Sequence, residues 1–392
     1  MRLPASRPIL LTRSRPVSLA VQLVCGRYRP DRDGVAAYVE RLADALPAAG
    51  AAAGVEVRAE VVEWPGLRHF RAGDADLVHV QFAPAAYGYR PGIGLLPHRT
   101  RRPVVTTLHE YAWWQWPRGV PGALWRPLER RRLWDRETLR LTPASREVIC
   151  TSGGQAADLA ARLGRAPQVV PIGANIEVGY DGGRAQARRE LGLPGAAPVL
   201  VFFGFVHPVK GLRYLLEALP ALRARHAGTR LLVAGGWRSL AWPDAEADAF
   251  VADLREEVRA LGLTDAVTFL GYQEPQAVSR ALVAADLAVL PFTAGVTAKS
   301  GSLLACWAHG LPVVGPRPVG LPDPEVDDAV AAVDRRDAAS IAAVVGDLLD
   351  DAEARARLAA AGQGCLAGRS WPDIAARHVA IYQQALRPRG GG

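Results

Sequence analysis

The sequence predicts an α/β protein in which two doubly wound βα domains face a cleft. Three observations carry this. Apolar runs of strand length alternate with stretches of helical periodicity, and the alternation occurs twice. A stretch rich in Gly and Pro, Glu177–Ala197, separates the two series and reads as an interdomain linker. Loops of Gly and small hydroxylic residues follow several strands, where open α/β sheets bind ligands.

In the first series Ser18–Val24 is a strand candidate, followed by a turn-rich loop, Arg27–Asp33. Gly34 then opens a helix whose apolar face holds Val35, Val39, Leu42 and Leu46 at helical spacing. Val55–Val62, Leu77–Gln81 and Val104–Leu108 read as strands, the last running into His109 and Glu110. Val148–Thr151 and Val169–Ile172 complete a parallel sheet. Between them lies Tyr111–Leu141, where Trp113, Trp114, Trp116, Trp125 and Trp134 interleave with arginines. Three readings stay open: a helix packed on the sheet under Arg stems, an acceptor platform that stacks on a ligand, or a membrane-surface contact.

In the second series Val199–Phe203, Leu231–Ala234, Val267–Leu270, Leu287–Leu290 and Leu311–Val314 are strands. Leu212–Arg223, Ala249–Leu261, Gln276–Ala284, Leu303–Ala308, Ala338–Leu349 and Ala352–Ala361 are helices. The final helix begins at the N-cap Ser370 with Pro372 in its first turn, and Ile374, His378 and Ile381 line one face. The RPRGGG tail is expected to be disordered.

The stretch Pro291–Pro316 carries the most chemistry. A strand end leads into a loop with Gly295, Thr297, Lys299, Ser300, Gly301 and Ser302, then a short helix stopped by Gly310 and Pro312. Backbone N–H groups at that helix start would face an anion, and Lys299 would add a full charge. Only two of the 47 basic residues are lysines, Lys210 and Lys299, and both sit in loops suited to phosphate.

Composition narrows the class. With 392 residues, 49% hydrophobic and 22% charged, the chain is of ordinary globular type. No apolar run approaches the roughly 18 residues that span a bilayer. Ile9–Leu11 is too short for a secretory signal core, so a cytoplasmic location is expected. Cys25, Cys150, Cys306 and Cys365 lack metal or redox spacing and are expected as small buried hydrophobes. The first 175 residues hold 25 Arg against 15 acidic residues, yet no nucleic-acid motif accompanies this charge. No H-E-x-x-H, P-loop or G-x-G-x-x-G occurs. The two D-x-D matches, Asp31–Asp33 and Asp74–Asp76, read as loop and cap residues, so no metal is expected.

With these segments in view, FFGFVHPVKGLRYLL (Phe202–Leu216) resembles the G-x-x-x-P-x-K-G loop of retaining glycosyltransferases of the GT-B fold, family 4. LLVAGG, VTFLGY, AADLAVLPF and HGLPVV follow in that family's order, and RPDRDGVAAYVERLADAL, VVTTLHEY and VVPIGANI are similar to its N-terminal landmarks. The resemblance covers roughly residues 18–386. It implies a Rossmann-like acceptor domain (1–180), a Rossmann-like donor domain (198–370) and a helix crossing back to the first (371–388). It also implies transfer of a sugar from a nucleotide diphosphate sugar to a small-molecule or glycan acceptor, with no further cofactor.

The resemblance assigns Lys210 to the donor diphosphate and His109 to the reaction centre. Gly34, Gly204, His207, Gly235, Tyr272, Thr297, Lys299, Ser300, Gly301 and Ser302 are expected at the donor. Arg32, Glu110 and Trp113 are expected at the acceptor, with Arg29 and Asp33 nearby. Two departures stand out. Phe205 replaces the usual Arg of the first loop, and Thr297 and Ala305 replace the usual pair of glutamates. Loss of the second glutamate suggests a donor without a ribose 2′-OH, such as a dTDP-sugar, or ribose recognition supplied elsewhere. Three functional readings follow: a transferase in natural-product (antibiotic) or glycan biosynthesis, a membrane-associated transferase with a lipid-linked acceptor, or a non-catalytic binding subunit of the same fold.

Overall fold

The computed structural model describes residues 17–388 apart from 117–118, 241 and 320–323. The run Ile9–Leu11 and the last four residues of the tail lie outside the described residues.

Two six-stranded parallel sheets form. The first holds β1 (Val17–Cys25), β2 (Val55–Glu63), β3 (Leu77–Phe82), β4 (Val104–Leu108), β5 (Glu147–Cys150) and β6 (Gln168–Val169), in the order β2-β1-β3-β4-β5-β6. The second holds β7 (Val199–Phe203), β8 (Arg230–Ala234), β9 (Val267–Gly271), β10 (Leu287–Val289), β11 (Val313–Pro316) and β12 (Ala331–Val333), in the order β12-β11-β10-β7-β8-β9. In each sheet the first strand lies between neighbours reached in opposite directions. The crevice at the carboxyl end of such a switch point is where ligands enter.

Helices α1 (Gly34–Ala52), α2 (Gly122–Arg130), α3 (Leu141–Ala144) and α4 (Gly153–Leu163) accompany the first sheet. The second is wrapped by α5 (Arg184–Glu190), α6 (Leu212–Arg225), α7 (Asp244–Ala260), α8 (Pro275–Ala284), α9 (Gly301–Ala308), α10 (Pro324–Asp327), α11 (Ala338–Asp350) and α12 (Ala352–Gly364). Strands β3 and β4 are buried along their whole length. Parallel strands covered on both faces read as continuous apolar runs for this reason.

The last helix, α13 (Trp371–Leu386), belongs to the core of the first domain. Ser370 caps it by accepting from the Asp373 backbone N–H at 3.2 Å. Trp371, Ile374, Val379, Ile381 and Tyr382 are buried in one cluster with Tyr38, Val39, Leu42 and Leu46 of α1. Each such side chain stabilises the fold by about 1.5–3 kcal/mol. Trp371 also donates its indole N–H to the Ala174 carbonyl at 2.8 Å.

Several expectations need correction. The supposed linker contains α5, whose Arg188 is buried and bonds Asp286 at 2.6 Å and the Ala284 carbonyl at 2.9 Å. The Gly and Pro residues at both ends of this stretch hid a seven-residue helix. Strand β6 has two residues, because Pro171 offers no N–H to the ladder. For the same reason β11 starts at Val313, after Pro312. Among its described residues, the Trp/Arg segment forms the short α2 and otherwise irregular chain, held by buried Glu129–Arg136 and Glu137–Arg162 pairs at 2.7 and 2.6 Å. Cys25, Cys150 and Cys306 are buried, and Cys365 is half-buried. No helix among the described residues is long and apolar enough to cross a membrane.

Candidate active site

A cleft of about 860 Å³ lies between the carboxyl ends of the two sheets. Its size falls within the usual range for small-molecule sites.

One wall comes from the second domain. Gly204 and Gly235, at the ends of β7 and β8, have φ of +137° and +140° and stack backbone on backbone. A Cβ on Gly235 would sit 2.1 Å from the Gly204 carbonyl oxygen. Only glycine allows this approach, and it leaves the cleft floor bare. Beyond Gly204 the chain makes a single 3₁₀ turn, Pro208–Lys210. Lys210 Nζ stands 3.7 Å from the centre of the Phe292 ring. Burial lowers its pKa from 10.5 to about 8. Thr297, Lys299, Ser300, Gly301 and Ser302 line the same wall. Ser300 caps α9 through its hydroxyl, which accepts from the Leu303 N–H at 3.4 Å. The helix start therefore offers unpaired N–H groups beside Lys299.

The facing wall comes from the first domain. Asp33 caps α1, accepting from the Ala36 N–H at 3.1 Å, and burial raises its pKa. Gly34, Tyr38, His109 and Glu110 line this wall. His109 Nε2 lies 2.9 Å from Gln81 Oε1, and Gln81 Nε2 lies 3.1 Å from His79 Nε2. His79 in turn contacts Thr107 Oγ1 at 2.8 Å and Tyr382 Oη at 2.7 Å. A buried polar chain thus joins the cleft to α13. Burial first, then the nearby His378 and Lys299, lowers the His109 pKa to about 3, so the imidazole stays neutral. With the Gln81 amide oriented as drawn, His109 Nε2 carries the proton and donates to it. Burial also raises the pKa of Glu110, against the pull of Lys299. Oε2 of Glu110 and the Tyr38 hydroxyl are buried without a hydrogen-bond partner.

Not every expected residue reaches the cleft. His207 is not among the lining residues; its Nδ1 accepts from the Val209 N–H at 3.2 Å and its ring packs on Trp242. Its role is to cap the turn that presents Lys210. Arg32 pairs with Asp244 of the other domain at 3.4 Å and also stays outside. Trp113 is not among the lining residues either; it is exposed and packs against Tyr89 and Trp114. Tyr272 lines the cleft, as do Gly204 and Gly235. Ala305 is fully buried in α9 and does not line it.

Sequence reasoning missed Tyr38, Arg41, Asn175 and Glu274, all on the lining. Tyr38 lies one helical turn after Gly34, so its placement on the same face was within reach of the pattern. Gln81 and His79 were visible as polar residues inside an otherwise apolar strand. Among the described residues, no group of three or more His, Cys, Asp or Glu could hold a metal ion.

Comparison with known proteins agrees with this geometry. Residues 63–178 match the family described as Glycosyltransferase Family 4, and residues 197–351 match Glycosyl transferases group 1. A D-inositol 3-phosphate glycosyltransferase of Nocardia farcinica is 33% identical over 225 residues, 56% of this chain and 47% of that protein. The corresponding protein of Stackebrandtia nassauensis is 31% identical over 258 residues, 63% of this chain and 56% of that one. The chain thus spans about half the length of these curated relatives. Among solved structures, a sucrose-phosphate synthase from Thermosynechococcus elongatus superposes with a TM-score of 0.67 at 21% identity, covering 93% of this chain and 98% of that one. A glycosyltransferase from Rickettsia africae superposes with a TM-score of 0.69 at 12% identity, covering 94% and 99%. Two matched family segments, two parallel sheets and a cleft between their carboxyl ends agree, and the chain belongs to the group 1, family 4 glycosyltransferases of the GT-B fold.

Proposed function

We propose that the protein transfers a sugar from a nucleotide diphosphate sugar to a small polar acceptor, with retention at the anomeric carbon, in natural-product (antibiotic) or glycan biosynthesis. The observation that carries this is the division of the cleft. Lys210, Lys299 and the α9 N-terminus stand on one wall, with neutral His109 and Glu110 on the other. In the reaction the bond from the anomeric carbon to the diphosphate oxygen breaks. The acceptor hydroxyl oxygen bonds to that carbon, and its proton leaves with the diphosphate. Negative charge grows on the departing oxygens, where fixed cations and N–H groups stabilise it more than in the ground state.

For the donor nucleotide we propose a dTDP-sugar. Ala305 is buried and apolar, so α9 offers no carboxylate to a ribose 2′-OH. Glu274, at the start of α8, is the competing source of ribose recognition. Calorimetric titration with dTDP, UDP and GDP tests this: dTDP is expected to bind at least as tightly as the others, and clearly tighter UDP or GDP binding refutes it. Donor turnover with and without Lys210→Ala tests the transfer itself. Wild-type biological activity in that variant would favour a non-catalytic binding role.

A second reading rests on the exposed Trp113, Trp116, Leu124 and Leu133. These residues give the Trp/Arg segment an apolar face for peripheral membrane contact and a lipid-linked acceptor. Co-sedimentation with anionic vesicles, lost in Trp113→Ala, is the expected signature. Absence of vesicle binding would eliminate this reading.

A further inference from the structure

The first-domain wall of the cleft differs in charge from the second-domain wall. Asp31, Asp33, Glu40 and Glu110 line it with a single cation, Arg41. Arg41 is already engaged, bonding the Asn175 carbonyl at 3.0 Å and approaching Glu177 at 3.5 Å. Asp33 is partly occupied by its capping bond and Asp31 lies 3.8 Å from Arg32. Glu40, which is exposed, and Glu110 remain, and Glu110 has one oxygen buried and unpartnered. Such an atom is costly unless something completes it.

A second, independent feature points to a ligand here. Tyr38 is only 3% exposed, lines the cleft, and its hydroxyl has no partner. Its ring is fixed edge-on to His109 at 4.9 Å and packs on Trp371 at 5.3 Å. Its position beside the reaction centre is therefore set by packing, not by any bond its hydroxyl makes. Trp113, three residues along the chain from Glu110, holds that carboxyl's pKa down against the effect of burial and presents an exposed indole next to Trp114 and Tyr89. The loop carrying it is held in a sparsely populated conformation: Ala112 has φ +77°, and its N–H donates to Glu137 at 2.8 Å.

We infer that the acceptor carries a protonated amine, which pairs with Glu110 beside the Trp113 ring while Tyr38 Oη hydrogen-bonds an acceptor hydroxyl. A carboxylate flanked by aromatic faces suits an ammonium on a polyhydroxylated ring. A phosphate on the same wall would face the four carboxylates, with Arg41 already bonded and Lys299, the cation that acts on Glu110, on the opposite wall. This inference rests on the proposed sugar transfer and names the chemical class of its acceptor.

The test uses the full chain. Calorimetry with dTDP, UDP and GDP first measures nucleotide affinity. Nucleotide release from the donor is then followed with 2-deoxystreptamine and glucosamine, with their N-acetylated forms, and with myo-inositol 1-phosphate. The free amines are expected to stimulate release with kcat/KM at least about tenfold above their N-acetylated forms. Glu110→Gln should abolish that preference by raising KM for the amine, with nucleotide affinity unchanged. Tyr38→Phe should raise KM for amine and N-acetylated acceptors alike. Equal or better use of the N-acetylated or phosphorylated compounds overturns the inference. So does an amine preference that survives Glu110→Gln, or nucleotide binding without stimulation by any amine. Absence of both nucleotide binding and donor turnover would overturn the transfer reaction itself, and the acceptor assignment with it.

Discussion

Replacing Lys210 with Met should make the protein more stable and less able to hold its donor. The lysine is desolvated in the cleft, which lowers its pKa from 10.5 to about 8. At about 1.36 kcal/mol per unit, holding it charged near neutrality costs about 3 kcal/mol. The Phe292 face below Nζ returns about 1 kcal/mol. Methionine is similar in length, carries no charge and keeps a favourable contact with the ring. The net gain for Lys210→Met at pH 7 is therefore about 2 kcal/mol. The sign with pH is fixed. Because the folded pKa is depressed, the unfolded chain binds more protons between about 8 and 10.5, so wild-type stability rises through that window. The advantage of the variant should shrink across the same range and vanish above it. Urea unfolding of both proteins from pH 7 to 10.5 measures the difference, and calorimetry supplies the functional half. Loss of a charge-assisted contact to the diphosphate should weaken nucleotide binding roughly 10- to 100-fold. A variant less stable than wild type at pH 7, or a stability difference constant with pH, would refute the claim that burial strains this lysine.

Gly235→Ala should cost at least about 2 kcal/mol, because the new methyl group meets the Gly204 carbonyl and the backbone stays at φ +140°; an unchanged denaturation midpoint would contradict this. Gln81→Leu should break the link between His109 and His79, destabilising the fold by about 1–3 kcal/mol. It should lower kcat about tenfold or more while nucleotide affinity holds, since a shifted imidazole affects the chemical step and not donor binding; equal losses in both would reduce Gln81 to a packing residue. Arg32→Ala removes a partly exposed ion pair between the domains, so stability should change by less than about 1 kcal/mol; a larger loss by urea unfolding would show that the pair clamps the cleft.

Strand alternation and Gly-rich loops were legible because parallel sheets buried on both faces leave continuous apolar runs. The second-domain wall of the cleft was legible for a related reason: Gly204, Gly235 and the Ser300 cap are local backbone demands, written in adjacent residues. The first-domain wall was not. Tyr38, Glu40 and Arg41 come from α1, Glu110 from the end of β4 and Asn175 from the loop after β6, so only the fold brings them together. Arg32 and Trp113 were placed with the acceptor by the family resemblance. Arg32 instead found Asp244, 212 residues away, and Trp113 found Tyr89 and Trp114 outside the cleft lining. Helix α5 escaped because a short helix between Gly and Pro clusters has too few turns to show a period.

The placement of α13 fixes an order of events during synthesis. Tyr382 bonds His79 across 303 residues, and Trp371 packs on Tyr38. The first sheet therefore leaves the ribosome without the helix that covers one of its faces. That face must wait while the whole second domain is made. Such long-range closure slows folding and exposes apolar surface during elongation. The second domain, whose core is drawn from residues 174–345, can close first. A stop codon before Trp371 would thus leave the second core intact and the first domain open, with His109 in a half-built wall.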